Sequence, residues 1–313
     1  MKHDAQDRPN DHSPQSIDEL AGLLAEHRYI ADRSLAVSIF LSMTLNKPLF
    51  LEGEAGVGKT EVAKVLAAGL QRPLIRLQCY EGLDINHAVY EWNYARQILH
   101  IRLAETAARA GSPALEREIF TPDFLIKRPL LQAIDQSAET PAVLLIDEID
   151  RADEEFEAFL LELLSDFQIT VPELGTFKAI HPPLVILTSN RTREVHDALK
   201  RRCLYHWIEY PTLDVEAKIV TTKVPGISEQ LAREASAFVA GLRTESFYKQ
   251  PGVAETIDWA QALRALGVSV LDEKVVADTL GALLKYQEDL KKMTERGLHT
   301  RIADAQRAAA ARV

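Results

Sequence analysis

Cysteine is nearly absent from this chain: Cys79 and Cys203 are the only two in 313 residues, and no zinc or redox spacing joins them. No metal or disulfide-exchange motif can be built from such a pair. Each borders an apolar run, PLIRLQC (73–79) or CLYHWIEY (203–210), so both read as small core residues. Two lone cysteines suit a reducing cytosol, and a cytoplasmic location is the expectation. Long hydrophobic runs are missing as well. No stretch approaches the ~20 apolar residues that a membrane-crossing helix needs, so no membrane span is expected. The first residues, MKHDAQDRPNDHSPQ, carry no apolar core of a secretory signal. Residues 1–15 read instead as a polar, disordered tail. Positive charge is in deficit too, with 36 Lys and Arg against 46 Asp and Glu and a net charge of -10. Phosphate affinity comes mostly from Lys and Arg, so a general nucleic-acid binder is disfavoured. The histidines are scattered, and neither His196 nor His206 has ligand spacing.

What is present is apolar patterning that alternates between two periods. With 47% hydrophobic residues the chain has enough for one large or two medium cores. Leu20, Leu23 and Leu24, then Leu35, Ala36, Ile39, Phe40 and Met43, recur at helical spacing and predict two helices broken near Tyr29 to Asp32. PLFLEG (48–53) reads as a buried strand, TEVAKVLAAGL (60–70) as a helix and PLIRLQC (73–79) as a second strand. Tyr80 to about Gln136 is predicted mostly helical, with breaks at Gly111–Pro113 and Thr121–Pro122. AVLLIDEID (142–150) is a third strand, and DEEFEAFLLELLSDF (153–167) a helix burying Phe156, Leu160, Leu163 and Leu164. FQITVPELGTFKAI (167–180) has two alternating runs around a turn, a β-hairpin. PLVILTSN (183–190) and CLYHWIEY supply a fourth and a fifth strand, and beyond Pro211 the pattern is helical almost to the end. Strands alternating with helices imply a parallel sheet. The expected organisation is an α/β domain over 16–210 and a helical domain over 211–313.

Two motifs carry chemistry. GEAGVGKT (53–60) has the spacing G-x-x-x-x-G-K-[ST] between a predicted strand and a predicted helix. Gly53, Glu54, Ala55, Gly56, Val57 and Gly58 form a loop whose backbone N–H groups can wrap phosphates, with Glu61 just inside the helix. Lys59 is placed to reach the β- and γ-phosphates, Thr60 to ligate Mg²⁺, and the helix N-terminus favours the anion. LLIDEID (144–150) then offers a strand ending in Asp147 and Glu148, one carboxylate for the metal shell and one for the attacking water. That pair points to ATP hydrolysis. NKPL (46–49) is no guanine reader, and a small kinase would lack the hairpin and the helical C-terminal part. Asn190 ends the fourth strand, within reach of a γ-phosphate or its water, unless it merely caps the next helix.

Together these residues resemble an AAA+ ATPase. GEAGVGKT is similar to Walker A, LLIDEID to Walker B, LTSN (187–190) to sensor 1, and DALKRRC (197–203) falls where such proteins carry an arginine finger. The insert after the second strand and the hairpin before sensor 1 resemble the MoxR group. RLQCYEGLD (76–84), YEWNYA (90–95), FLLELLSDFQITVPELGT (159–176) and TSNRTREVHDALKRRCLYHW (188–207) are similar to its CoxD-type branch, linked to maturation of carbon-monoxide-dehydrogenase-like molybdenum hydroxylases. The resemblance implies a five-stranded parallel P-loop fold with a helical insert, a hairpin before sensor 1 and a C-terminal helical lid. It implies ATP and Mg²⁺ held by Lys59, Thr60 and Asp147, water polarised by Glu148, and Asn190 as sensor 1. Arg202 is the first choice for the finger and Arg201 the alternative. A finger acting in trans implies a ring, a hexamer in this group, and such ATPases act with a von Willebrand A-domain protein on a metalloenzyme client. The pattern departs at sensor 2: PGVAETIDWAQAL (251–263) has Glu255 or Thr256 where relatives carry arginine, leaving Arg264 as a possible substitute. Tyr90, Trp92 and Tyr94 alternate in a segment that reads either as a pore grip or as packing of the insert. Two rival readings are a nucleic-acid motor or clamp loader, and a non-hydrolytic nucleotide switch.

Overall fold

The computed structural model describes residues 13–106, 118–135, 137–295 and 297–311. The expected break at 111–113 and most of the tail lie outside them. By internal contacts the chain forms two compact units. One comprises the stretch ending at Leu23 with Arg33–Glu52 and Val62–His206; the other comprises Leu24–Asp32, Gly53–Glu61 and Trp207–Val313.

The first unit is built on a parallel sheet. Its strands are β1 (Leu49–Gly53), β2 (Leu74–Gln78), then β5 (Val143–Asp147), β8 (Leu184–Ser189) and β9 (Leu204–Ile208), in the spatial order β2-β5-β8-β1-β9. The numbers β3 and β4 belong to a small antiparallel pair, Tyr90–Trp92 with Leu125–Lys127. The numbers β6 and β7 belong to the hairpin, Gln168–Val171 with Gly175–Lys178. Every residue of β5 and β8 is buried, as expected of central parallel strands covered on both faces. Helices α1 (Ile17–Glu26), α2 (Arg33–Leu45), α3 (Lys59–Gly69), α4 (Tyr94–Thr106) and α5 (Glu154–Asp166) follow in chain order. Phe156, Leu160, Leu163 and Leu164 of α5 do face the core, together with Phe50, Leu144, Ile146 and Leu187. Cys79 is buried in that cluster and Cys203 packs against it.

The insert differs from its expected helicity. Tyr90–Trp92 is a strand, because its aromatic side chains alternate and its partner lies far along the chain at Leu125–Lys127. Trp92, Phe124 and Val171 form a small core of their own with Tyr90, Leu125, Leu174 and Phe177 around it. Trp92 is therefore a packing residue, while Tyr94 stands exposed on α4.

In the second unit, among the described residues, six α-helices follow Pro211: α6 (Leu213–Lys223), α7 (Glu229–Arg243), α8 (Val253–Ala265), α9 (Glu273–Thr279), α10 (Gln287–Glu295) and α11 (Leu298–Ala310). Side-chain caps start two of them: Ser228 accepts from Leu231 N–H at 3.1 Å and Asp272 from Val275 N–H at 2.8 Å. Their common core centres on Trp259, fully buried against Phe238, with its indole N–H donating to Thr279 Oγ1 at 2.8 Å.

Candidate nucleotide site

The glycine-rich loop leaves β1 at its carboxyl end and belongs to the second unit. Gly53 adopts φ 155°, and a Cβ there would lie 2.5 Å from the Ile208 carbonyl oxygen, so only glycine lets the two backbones approach. Gly56 has φ 80° and Gly58 φ 97°, left-handed values that turn the loop. Val57 is buried, Glu54 exposed, and Ala55 and Thr60 half-buried. Lys59 is almost wholly buried, and its ammonium donates to the carbonyls of Gly53 and Glu54, both at 2.7 Å. The lysine is thus curled into the loop, its charge met by carbonyl oxygens that a phosphate would outcompete. Glu61, one residue past Thr60, pairs with Lys223 of α6 at 2.9 Å. The buried Tyr29 ring stands against Gly58. Burial first, then the charges of Asp32 and Glu61, drive its hydroxyl pKa far up.

The first turn of α8 is docked on this loop. Ala254 N–H donates to the Gly56 carbonyl at 3.1 Å. A Cβ on Gly252 would meet the Ala55 oxygen at 2.6 Å. Glu255 accepts from Gly252 N–H at 2.9 Å, and its Oε2 lies 3.0 Å from where a Gly56 Cβ would be. Glu255, one of the two residues expected at the sensor 2 position, thus turns its carboxylate toward the loop. The Arg264 guanidinium lies against Gly226, at the far end of the helix. Arg243 does a different task. It is bidentate to the fully buried Glu216 at 2.6 and 2.7 Å, reaches the Pro251 carbonyl at 2.8 Å and stacks over Tyr210. Thr256 donates to the same Glu216 at 2.7 Å. Arg243 and Glu216 so fix both ends of the turn that touches the loop, a role that needed the folded lid to be seen.

The acidic edge lies in the first unit. Strand β5 ends at Asp147, earlier than the expected Asp150, because Glu148 turns left-handed (φ 55°, ψ 52°) and Ile149–Arg151 winds into a 3₁₀ turn. Asp147 is buried. Thr188 Oγ1 donates to its Oδ1 at 2.6 Å, and Arg76 Nε and Nη2 reach its Oδ2 at 3.0 and 2.6 Å. Glu148 makes four contacts: its N–H donates to Thr188 Oγ1 at 2.9 Å, Oε1 accepts from Asn190 Nδ2 at 3.3 Å, and Oε2 accepts from Gln78 Nε2 at 3.0 Å and Arg151 Nη1 at 3.5 Å. Asn190 thus touches the carboxylate expected to polarise water. It does not cap the following turn, which His196 caps.

Beyond Asn190 the chain is pinned by two buried carboxylates. Asp150 Oδ2 accepts from Asn190 N–H, Thr192 N–H and the Thr192 hydroxyl at 3.2, 2.8 and 2.7 Å. Glu157 takes the Arg193 guanidinium, which also bonds the Ala152 carbonyl, and His196 N–H at 2.7 Å. Arg191 and Arg193, equally basic in sequence, thereby separate: Arg193 braces α5, while Arg191 stands exposed. Among the finger candidates Arg202 donates to Ser165 Oγ at 2.6 Å and to the Ala198 carbonyl at 2.9 Å. Arg201 closes the Asp197–Lys200 turn and is exposed. Sequence reasoning passed over Arg76, Gln78, Asp150, Glu157 and Arg243. The one available signal was polar Arg76 and Gln78 at alternate positions of an otherwise apolar strand.

A cavity of about 790 Å³ lies elsewhere in the first unit, lined by Lys47, Arg72, Pro141 and Pro183 at the amino edge of the sheet. Among the described residues no cluster of three or more His, Cys, Asp or Glu is arranged to hold a metal by itself, and no helix is long and apolar enough to cross a membrane.

A five-stranded parallel sheet with a phosphate loop after β1 and an Asp-Glu pair at the end of β5 defines the AAA+ P-loop class. Residues 48–203, about half of the chain, match the family described as AAA domain (dynein-related subfamily). That stretch is an AAA domain. An uncharacterized protein of Staphylococcus haemolyticus is 26% identical over 251 residues, 78% of this chain and 84% of its own length. An uncharacterized protein of Staphylococcus aureus is 27% identical over 229 residues, 71% of this chain and 76% of its own. Among solved structures, a Thermotoga maritima RuvB mutant aligns with TM-score 0.47 at 16% identity, covering 93% of this chain and 84% of that one. The RuvB Holliday junction branch migration motor from the same organism aligns with TM-score 0.45 at 18% identity over the same shares.

Proposed function

We propose that the chain is a Mg²⁺-dependent ATPase that assembles into a ring in the cytoplasm and remodels a protein partner. The observation that carries hydrolysis is Glu148, an acid directly after the buried Asp147, with Asn190 on one oxygen and Gln78 on the other. Lys59 and the backbone of 53–58 would hold the phosphates. The residues fit that ligand, because the loop already has the required left-handed glycines and a lysine that donates to carbonyls which phosphate can displace. Thr60 and Asp147 are hard oxygen donors of the kind Mg²⁺ takes. Bound there, the ion would neutralise charge building between the β- and γ-phosphates. Glu148 would accept the proton of the attacking water, oriented by Asn190. Of the two finger candidates we favour Arg201, the exposed one, over Arg202, whose donors are engaged by Ser165 and Ala198 of the same chain. In this reading residues 16–210 are the nucleotide-binding part and 211–313 the lid.

The finer assignment is to the CoxD-type branch of the MoxR group, acting with a von Willebrand A-domain protein in maturation of a molybdenum hydroxylase. The phrases RLQCYEGLD and TSNRTREVHDALKRRCLYHW support it, as do the β3–β4 insert and the β6–β7 hairpin ahead of β8. A hexamer is the ring we expect. Glu148→Gln is the test. It should lower ATP turnover by roughly 10²–10⁴-fold while nucleotide binding persists. The trapped assembly should retain a metallohydroxylase subunit or its A-domain companion on affinity purification. Unchanged turnover would make the protein a nucleotide switch, and enrichment of nucleic acid would make it a motor on that polymer.

A further inference from the structure

Arg76 is the least expected member of the acidic edge. It lies in β2 with Leu145 of β5 as its register partner, and Gln78, two residues on and on the same face, is opposite Asp147. Its guanidinium is bidentate on a single oxygen of Asp147, whose side chain is only 3% exposed, while its own side chain is half-exposed. One nitrogen of the same group, Nη2, also donates to Gln78 Oε1. The amide of Gln78 is therefore oriented. With its oxygen held by Arg76, its nitrogen is aimed at Glu148 Oε2, at 3.0 Å. A continuous path runs Asp147–Arg76–Gln78–Glu148–Asn190, and it links the metal-ligand candidate to the water-polarising candidate through one arginine and one amide.

The geometry points to Arg76 as a place-holding cation: it occupies Asp147 Oδ2 until a divalent ion is bound. This inference rests on the ATPase reading above. A guanidinium and a divalent cation cannot share one carboxylate oxygen without strong repulsion, since like charges about 4 Å apart interact by several kcal/mol at protein-like permittivity. Arg76 must leave Oδ2 before that oxygen can take a metal ion. Arg76 has room for the movement because its face is open to solvent, whereas Thr188, which holds the other Asp147 oxygen, is buried and stays. The arrangement pairs a buried carboxylate with a cation in the metal-free protein.

The experiment measures metal affinity directly. Full-length protein preloaded with a non-hydrolysable ATP analogue is titrated with Mn²⁺, and free Mn²⁺ is followed by electron paramagnetic resonance, with the analogue alone as reference. Arg76→Ala should bind Mn²⁺ about tenfold more tightly than wild type, because one charge-assisted competitor is gone. Arg76→Lys keeps the charge but cannot bridge Asp147 and Gln78 together, so its affinity should fall between the two. Gln78→Ala should leave Mn²⁺ affinity at the wild-type value, since Gln78 does not touch Asp147. Thermal melts establish that each variant is folded, and the lysine variant carries the test if the alanine variant is not. An Mn²⁺ isotherm for Arg76→Ala equal to or weaker than wild type, in a folded protein that still binds the analogue, overturns the inference alone. A wild-type protein that binds no analogue overturns the ATPase reading with it.

Discussion

Burial gives Cys79 a consequence that can be measured although the thiol takes no part in the proposed chemistry. It is wholly inside the first core, and burial, reinforced by the negative charges of Asp147, Asp150, Glu148 and Glu157, pushes its pKa up to about 12 from an ordinary 9.0. Cys203 is also pushed up to about 12 by burial, with Arg202 pulling weakly the other way. The folded state therefore keeps protons that the unfolded chain gives up. The stabilisation is fully present below the unfolded pKa, declines as pH rises through the unfolded value, and is lost by the folded one. Urea midpoints should be flat up to about pH 8 and should fall steadily through about pH 10, and Cys79→Ala should flatten that slope. A slope unchanged by the substitution would assign the alkaline loss to other groups. At neutral pH a thiol-reactive dye should label Cys79 only on unfolding. The sequence already indicated this residue as core from its place at the end of an apolar run. It did not reveal Arg76 or Gln78, because what they touch depends on which strand lies beside β2, a contact about 70 residues away.

Among the elements, those with strong local periodicity were legible from sequence and those defined by distant partners were not. Helix α5 was predicted nearly to its ends, for its apolar spacing is helical and Asp153 caps it by accepting from Phe156 N–H at 3.0 Å. The hairpin followed from alternation around a turn. The β3–β4 pair was missed because a three-residue run is too short for its alternation to decide between strand and helix, and its mate is separated by the whole of α4. The lid was legible as helices but not as a device. Its first α8 turn depends on Glu216, fully buried, and Arg243, only 8% exposed in its side chain. Removing one partner leaves the other charge buried and unpaired, so Glu216→Ala should destabilise by about 3–5 kcal/mol. Because Thr256 and Pro251 are held through the same pair, that loss should also weaken nucleotide binding, with both effects read by chemical denaturation and by equilibrium titration. Replacing the pair together, Glu216→Leu with Arg243→Met, should recover most of the stability, as apolar groups of similar volume commonly do. If the double variant is as unstable as the single one, the pair contributes through shape and not through charge.

For the whole molecule the decisive question is whether a subunit completes its own site. The acidic edge holds Arg193 and Arg202 against α5, and leaves Arg201 exposed at the end of a short turn that Asp150 and Glu157 brace from upstream. A rigid arm carrying an exposed arginine suits delivery to a neighbour. A head-to-tail interface closes into a ring only if each subunit offers a different surface to each side. Under that arrangement Lys59→Ala removes phosphate binding but spares the arginine offered to the next subunit, while Arg201→Ala does the reverse. Each variant alone should be inactive, since a finger contributes roughly 10³–10⁵ in rate in other phosphoryl-transfer enzymes. Mixed in equal amounts and allowed to exchange, they should regain about a quarter of wild-type ATP turnover, because about one interface in four then joins an intact loop to an intact arginine. Arg202→Ala in place of Arg201→Ala should retain more activity alone, its loss reflecting the tie to Ser165. No recovery on mixing, with exchange verified by a fluorescent label, would mean that each subunit hydrolyses with its own residues, and Arg201 would then be a surface arginine.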